Sequence, residues 1–312
     1  MNKENNPIDP AIFISIFVAI MVIFSYIYFS NYIISPNSVY SSNLVNQSNS
    51  PKIQITTSFR AITLLVKPIA GNLVSINQIL PPGADPHNFD PTPQDAIGIT
   101  QSKLFFYDSN NLEQWAINYV KSDNPDIQMI SFQSSINSNQ TNPHYWLNPV
   151  LAMTYVKSIT SSLVSADPKD SVLFYNNEKI FLNQLNQLNQ SYFSNLQNCT
   201  TRSVLTSHSF LNYLSNQYNF SQISIAGPSP DATPSISQIV SVINVSKQNN
   251  ARAVLAEPDE TINIANSVAT ELSIPTLSFD TMEVLTSNNS NSSYIDIENQ
   301  NLKKLTYALG CN

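Results

Sequence analysis

From Lys169 to Gln197 the chain carries neither glycine nor proline, and Leu185, Leu188, Tyr192 and Leu196 recur within that stretch at helical spacing. This uninterrupted segment constrains the fold more than any other feature, because a helix of that length is roughly 40 Å long at 1.5 Å per residue. On either side of it, short apolar runs alternate with helical patterns. Before it, the sequence predicts strands around Ile53–Ser58, 103–107 and 127–132, with helices over 61–70 and 111–120. After it come strands at 203–206, 222–226, 253–256 and 276–279, with helices over 209–217, 236–248 and 262–272. Strands that alternate with helices make parallel sheets covered on both faces. The expectation is an α/β chain of two lobes, residues 52–165 and 200–312, joined by a long rigid helix over 166–199. The cleft between the lobes is the place for a ligand. No Gly-rich or charge-rich linker separates the lobes, which argues against wide hinge motion.

The N-terminus sets the compartment. No charged residue occurs from Ala11 to Ser35, and Ile12–Phe29 is almost wholly apolar. About 20 such residues span a bilayer as a helix, whereas the apolar part of a cleaved secretory signal is usually shorter and ends at a small-x-small site. The length and the lack of a clear site favour a transmembrane anchor over residues 1–35, followed by a polar tether over 36–51. A cleaved signal is the rival. No second apolar span follows, so the rest of the chain lies on one side of the membrane, and we expect the outer side. Two cysteines, Cys199 and Cys311, fit one disulfide in an oxidising compartment, against two unrelated thiols. Eight Asn-x-Ser/Thr sequons, at Asn46, Asn139, Asn189, Asn198, Asn219, Asn244, Asn288 and Asn291, fit an outer location but carry little weight in so Asn- and Ser-rich a chain.

Composition excludes some functions. Charged residues make up 11% of the chain, the net charge is −7 and the isoelectric point about 4.8. Nucleic-acid binding draws most of its affinity from cationic contacts to phosphate, so a chain short of Lys and Arg is a poor candidate.

Only three histidines occur, and each sits in an unusual setting. His87 lies in Pro81-Pro82-Gly83-Ala84-Asp85-Pro86-His87-Asn88-Phe89-Asp90-Pro91, where prolines exclude a helix or a central strand. His144 lies in Asn142-Pro143-His144-Tyr145-Trp146-Leu147-Asn148-Pro149, also bracketed by proline. His208 follows the strand Ser203-Val204-Leu205-Thr206. A lone histidine is more often a packed or surface residue than a ligand. All three, however, occupy loops at strand ends, two in one lobe and one in the other, and can converge on the cleft. Neutral imidazole is a leading ligand for zinc and suits other first-row metals. Asp280, just after the strand Thr276–Phe279, is placed to be a fourth ligand. Asp85, Asp90 and Glu257 can orient imidazoles by accepting the other ring N–H, or can be ordinary loop acids.

These motifs resemble the zinc/manganese (cluster A-I) substrate-binding proteins of metal ABC transporters. The resemblance runs from Thr57-Ser58-Phe59 and Ile69-Ala70-Gly71 through the Pro82–Pro93 loop, Pro143–Pro149 and Thr206-Ser207-His208 with Tyr213-Leu214. It continues through Glu257 to Asp280 and covers about residues 52–312. It implies two α/β lobes joined by a long helix, with His87, His144, His208 and Asp280 as metal ligands. Three imidazoles and one carboxylate favour zinc, while members that bind manganese tend to carry a carboxylate at the position of His208. The chain departs from the family pattern at Asn148, where the family has Asp, and at Asn219, where it has Gly. It also lacks a His-rich loop between His87 and His144.

The resulting expectation is a monomeric, extracytoplasmic receptor that captures a divalent metal, zinc before manganese, and delivers it to an ABC transporter permease. An enzyme is disfavoured, because a catalytic zinc needs an open coordination position and no His-Glu-x-x-His helix or Gly-x-Ser-x-Gly elbow is present. A surface adhesin is the other alternative. It is weakened by the scarcity of tryptophan, for only Trp115 and Trp146 are present and Trp146 falls within the second histidine motif.

Overall fold

The computed structural model describes residues 52–123, 126–230, 232–257, 262–284 and 291–312. The expected anchor and tether lie outside these residues. Among the described residues no helix is long and apolar enough to cross a membrane.

The first lobe is a four-stranded parallel sheet of β1 (Ile53–Thr57), β2 (Val74–Gln78), β3 (Leu104–Tyr107) and β4 (Gln128–Ser131) in the order β2-β1-β3-β4. Helices α1 (Arg60–Ala70), α2 (Pro93–Thr100), α3 (Gln114–Asp123) and α4 (Phe132–Ser135) connect or follow these strands, and α5 (Pro149–Ala166) leads out of the lobe. The second lobe repeats the plan with β5 (Ser203–Thr206), β6 (Ser221–Ser224), β7 (Val254–Ala256) and β8 (Thr276–Ser278), ordered β6-β5-β7-β8 and again all parallel. Between the lobes runs α6 (Ser171–Asn195), followed in the second lobe by α7 (Asn212–Tyr218), α8 (Ile236–Gln248), α9 (Ile262–Leu272) and α10 (Tyr294–Leu309).

Burial on both faces explains the strand sequences. Every residue of β3, β5 and β7 is buried. Alternation along a strand then divides the side chains between two cores. Leu104 and Phe106 face the main core, while Phe105 and Tyr107 face a second core with Ile99 and Ile117. In the second lobe Val204 and Leu255 join the main core, and Leu205, Val254 and Ala256 pack with Ala265 and Val268. The main core is continuous through both lobes. Helix α6 joins it through Phe174, Phe181, Leu185, Leu188 and Tyr192 and packs against α1, α5 and α10. It is a strut laid along both lobes, fixed by burial at each end.

Local signals set the boundaries. Thr92 and Asp95 form a reciprocal capping box on α2, with Pro93 in the first turn. Asn148 caps α5 by accepting from the N–H groups of Val150 and Leu151, and its amide N–H₂ donates to the Tyr213 carbonyl at 3.1 Å. An aspartate there would cap the helix but could not donate, so the departure at Asn148 adds a hydrogen bond between lobes. Asn219 ends α7 in the left-handed region with φ 55°, which Asn tolerates better than most non-glycine residues. Cys199 and Cys311 are joined by a disulfide at the two ends of the second lobe. Thr200 and Thr201 donate backbone hydrogen bonds to the carbonyls of Gly310 and Leu309 beside it.

Candidate metal site

The carboxyl ends of both sheets face the cleft, and β1 and β5 mark the points where strand order reverses, the usual ligand position in open α/β sheets. His87 sits in the loop between β2 and α2. Asp85 Oδ1 accepts from its backbone N–H at 2.7 Å, so Asp85 shapes the loop that carries the ring. His144 sits between α4 and α5, and His208 directly follows β5. The rings of His144 and His208 are wholly buried, and that of His87 nearly so.

The three imidazoles converge. His144 Nε2 lies 3.2 Å from His208 Nε2. Their fourth companion is Glu283, whose Oε1 lies 2.9 Å from His87 Nε2 and 3.3 Å from His144 Nε2. One donor atom from each of these four residues lies within 4.8 Å of the other three. Asp280, expected as the carboxylate ligand, is elsewhere. It pairs with Arg60 at 2.8 and 3.3 Å and accepts the Met282 N–H at 2.8 Å. The nearest acid to the end of β8 is thus held by a guanidinium, and the turn after it swings Glu283 into the cleft.

Hydrogen bonds fix which ring nitrogen of His144 is bare. Asn142 Nδ2 donates to the Ser209 carbonyl at 2.6 Å, which assigns Asn142 Oδ1 as the acceptor 2.8 Å from His144 Nδ1. The His144 proton is therefore on Nδ1, and its Nε2 offers a lone pair to the cluster. Glu257 Oε2 stands 3.4 Å from His208 Nδ1, on the side away from His144. The Thr281 hydroxyl is shared between Glu257 and Glu283 and lies 2.8 Å from Glu283 Oε2. Burial pushes the His208 pKa down to about 3, with the charges of His144 and His87 adding and that of Glu283 opposing. Burial also lowers His144, against the pull of Glu283. For Glu283 burial acts upward, but the charges and hydrogen bonds of His144 and His87 outweigh it and hold the carboxylate well below its usual range. Burial thus favours the neutral forms of His144 and His208, while the neighbouring histidines favour the ionised form of Glu283.

Aromatic rings wall the cluster. Phe210 lies 5.0 Å from His208 and 6.5 Å from His144, and Trp146 lies 5.2 Å from His144, all between centroids. Trp146 Nε1 donates to the Thr281 carbonyl at 2.6 Å, and the Tyr294 hydroxyl donates to the Trp146 carbonyl at 2.6 Å. These bonds, with Tyr213 to the Asn142 carbonyl, stitch the lobes together around the site. Sequence reasoning missed Glu283, Asn142 and Arg60. The one available signal was Arg60, a cation among the apolar residues where α1 begins.

Over residues 55–308 the chain matches the family described as zinc-uptake complex component A, periplasmic, and it belongs to that family. The high-affinity zinc uptake system protein ZnuA of Bacillus subtilis is 26% identical over 284 residues, 84% of this chain and 89% of that one. The zinc-binding lipoprotein AdcA of Streptococcus pneumoniae (strain R6) is 25% identical over 276 residues, and the match spans 81% of this chain but only 55% of that longer relative. Among solved structures, the Zn(II)-bound ZnuA-like domain of Streptococcus pneumoniae AdcA superposes with a TM-score of 0.73 at 26% identity, covering 83% of this chain and 99% of the domain.

Proposed function

We propose that this protein is an extracytoplasmic receptor that captures one zinc ion between its lobes and hands it to an ABC importer. The observation that carries this reading is the spacing of the donors. Ligands about 2.0–2.1 Å from a tetrahedral zinc lie about 3.3 Å from one another. His144 Nε2–His208 Nε2 at 3.2 Å and His144 Nε2–Glu283 Oε1 at 3.3 Å meet that spacing, and His87 Nε2–Glu283 Oε1 at 2.9 Å comes close to it. The ligands in this reading are His87, His144, His208 and Glu283. Three nitrogens and one oxygen suit zinc better than manganese, which prefers more oxygen.

Four protein donors complete a tetrahedral shell and leave no position for a reactive water, which supports a binding role over catalysis. Membership of a family described as periplasmic, and the zinc-uptake names of its relatives, support delivery to a permease on the outer face of the membrane. The apolar N-terminal run supports anchoring there.

The test is calorimetric titration of the metal-stripped full chain with zinc and then manganese, with bound metal counted by native mass spectrometry. One tight zinc per chain is expected, with manganese weaker. His208→Ala should abolish tight binding while its circular dichroism matches the parent. A parent chain that binds neither metal would refute the receptor and bring the adhesin alternative forward.

A further inference from the structure

We propose that Arg60 is a positioning residue for metal capture: by gripping Asp280 across the cleft it removes that carboxylate from the ligand set and fixes the turn that presents Glu283. The inference rests on the metal-receptor reading above.

Arg60 opens α1 in the first lobe, Asp280 follows β8 in the second, and the guanidinium is almost fully buried. Its two terminal nitrogens meet the two oxygens of Asp280 at 2.8 and 3.3 Å, a fork on a carboxylate that an ammonium cannot reproduce. Nη1 also approaches the Val284 carbonyl at 3.5 Å, so one side chain reaches both ends of the 280–284 turn.

Asp280 is held by its backbone as well as by its carboxylate. Its backbone N–H donates to Asn301 Oδ1 at 3.1 Å, its carbonyl accepts from Asn301 Nδ2 at 2.7 Å, and its Oδ1 accepts from the Met282 N–H. That last bond closes a turn in which Met282 takes φ 65°, a left-handed conformation unusual for a residue other than glycine, with its side chain fully buried. The chain reverses there, and the next residue is Glu283, beside two imidazoles. Strain of this kind persists only where the surroundings over-determine it. Arg60 and Asn301 supply that determination.

Charge points the same way. Glu257 and Glu283 already set two carboxylates against the histidines, and Asp280, three residues before Glu283, is a third. Arg60 neutralises the one that stands apart from the histidine cluster. A freed Asp280 would offer the ion additional oxygen, which moves preference from zinc toward manganese.

The experiment compares zinc and manganese affinities of the full chain with those of Arg60→Met, Arg60→Lys, Asp280→Asn and Glu283→Gln. Arg60→Met should weaken zinc by about ten-fold or more and narrow the zinc-to-manganese ratio by a similar factor. Arg60→Lys should recover part of the affinity. Asp280→Asn keeps the oxygen that accepts from Met282, so it should weaken zinc less than Glu283→Gln does. General destabilisation would leave the metal ratio unmoved. Zinc affinity and metal ratio within about two-fold of the parent in Arg60→Met would overturn the proposal. So would an Asp280→Asn variant as damaged as Glu283→Gln, and that comparison decides the matter if Arg60→Met does not fold. A parent chain that binds no metal instead sinks the receptor reading itself.

Discussion

Lowering the pH should release zinc far more gradually than a site of three histidines ordinarily allows. An imidazole of ordinary pKa, about 6.5, is protonated roughly 30-fold over its neutral form at pH 5, which costs about 2 kcal/mol of metal affinity. Three such ligands would together lose on the order of 10⁴-fold between pH 7 and pH 5. Here burial holds His208 near 3 and lowers His144, while Glu283 stays ionised because its pKa is well below the carboxylate range. The sign follows from these directions. A depressed imidazole pKa means that the metal-free site is still bare at His208 until the pH approaches 3, so no proton has to be displaced there. With no proton to displace at His208 and a lowered His144, the expected loss from pH 7 to pH 5 is less than two ordinary imidazoles' worth, below about 1,000-fold. Competition of the full chain against a calibrated zinc chelator at pH 7, 6 and 5 measures it. A loss beyond about 1,000-fold, with close to three protons released per zinc at pH 5, would show that the buried rings titrate freely and would refute the reasoning.

Two further outcomes are expected. Replacing Cys199 and Cys311 together by serine opens a loop with a sequence separation of 112, for which chain entropy gives a loss of about 5 kcal/mol in unfolding free energy; urea unfolding followed by circular dichroism checks it, and a loss below about 2 kcal/mol would discredit the loop-closure account. Glu298, fully buried against the Tyr192 hydroxyl, has its pKa pushed up to about 8 by burial, with that hydrogen bond opposing and Asp280 adding. Its contribution is therefore complete at acid pH and is lost as the pH rises through 8, by up to roughly 4 kcal/mol between pH 5 and 8. Glu298→Gln should flatten that part of the stability profile, and an unchanged slope would exclude Glu298 as its source.

Much of the architecture was legible because it rests on local patterns. The strands β3, β5 and β7 are short apolar runs between polar residues, and α6 announces itself by lacking helix breakers. The elements that escaped are instructive. Helix α5 mixes Val, Ile, Ser and Thr with apolar residues on most sides, so its period is blurred by burial. Strand β2 alternates Val74, Ile76 and polar residues over only five positions. Helix α10 did carry a signal, the Ser293–Asp296 capping box. At the site, the histidines stood out by scarcity and by their proline-bracketed loops. The carboxylate did not. Proximity to the strand end favours Asp280, whereas the choice of Glu283 depends on an arginine paired with Asp280 across 220 residues and on the turn at Met282. A contact of that range leaves no periodicity to read.

The clasp on the second lobe also bears on how the molecule is made. Cys199 leaves the site of synthesis 112 residues ahead of Cys311, an interval of about 6 to 22 s at ordinary elongation rates of 5–20 residues per second. During it, β1 to α5 are already complete, while β5 and β7 still lack α10, the helix that packs against both. The half of the cleft bearing His87 and His144 can therefore take shape first. The half bearing His208 and Glu283 waits for the last helix, with one thiol unpaired and open to any oxidant it meets.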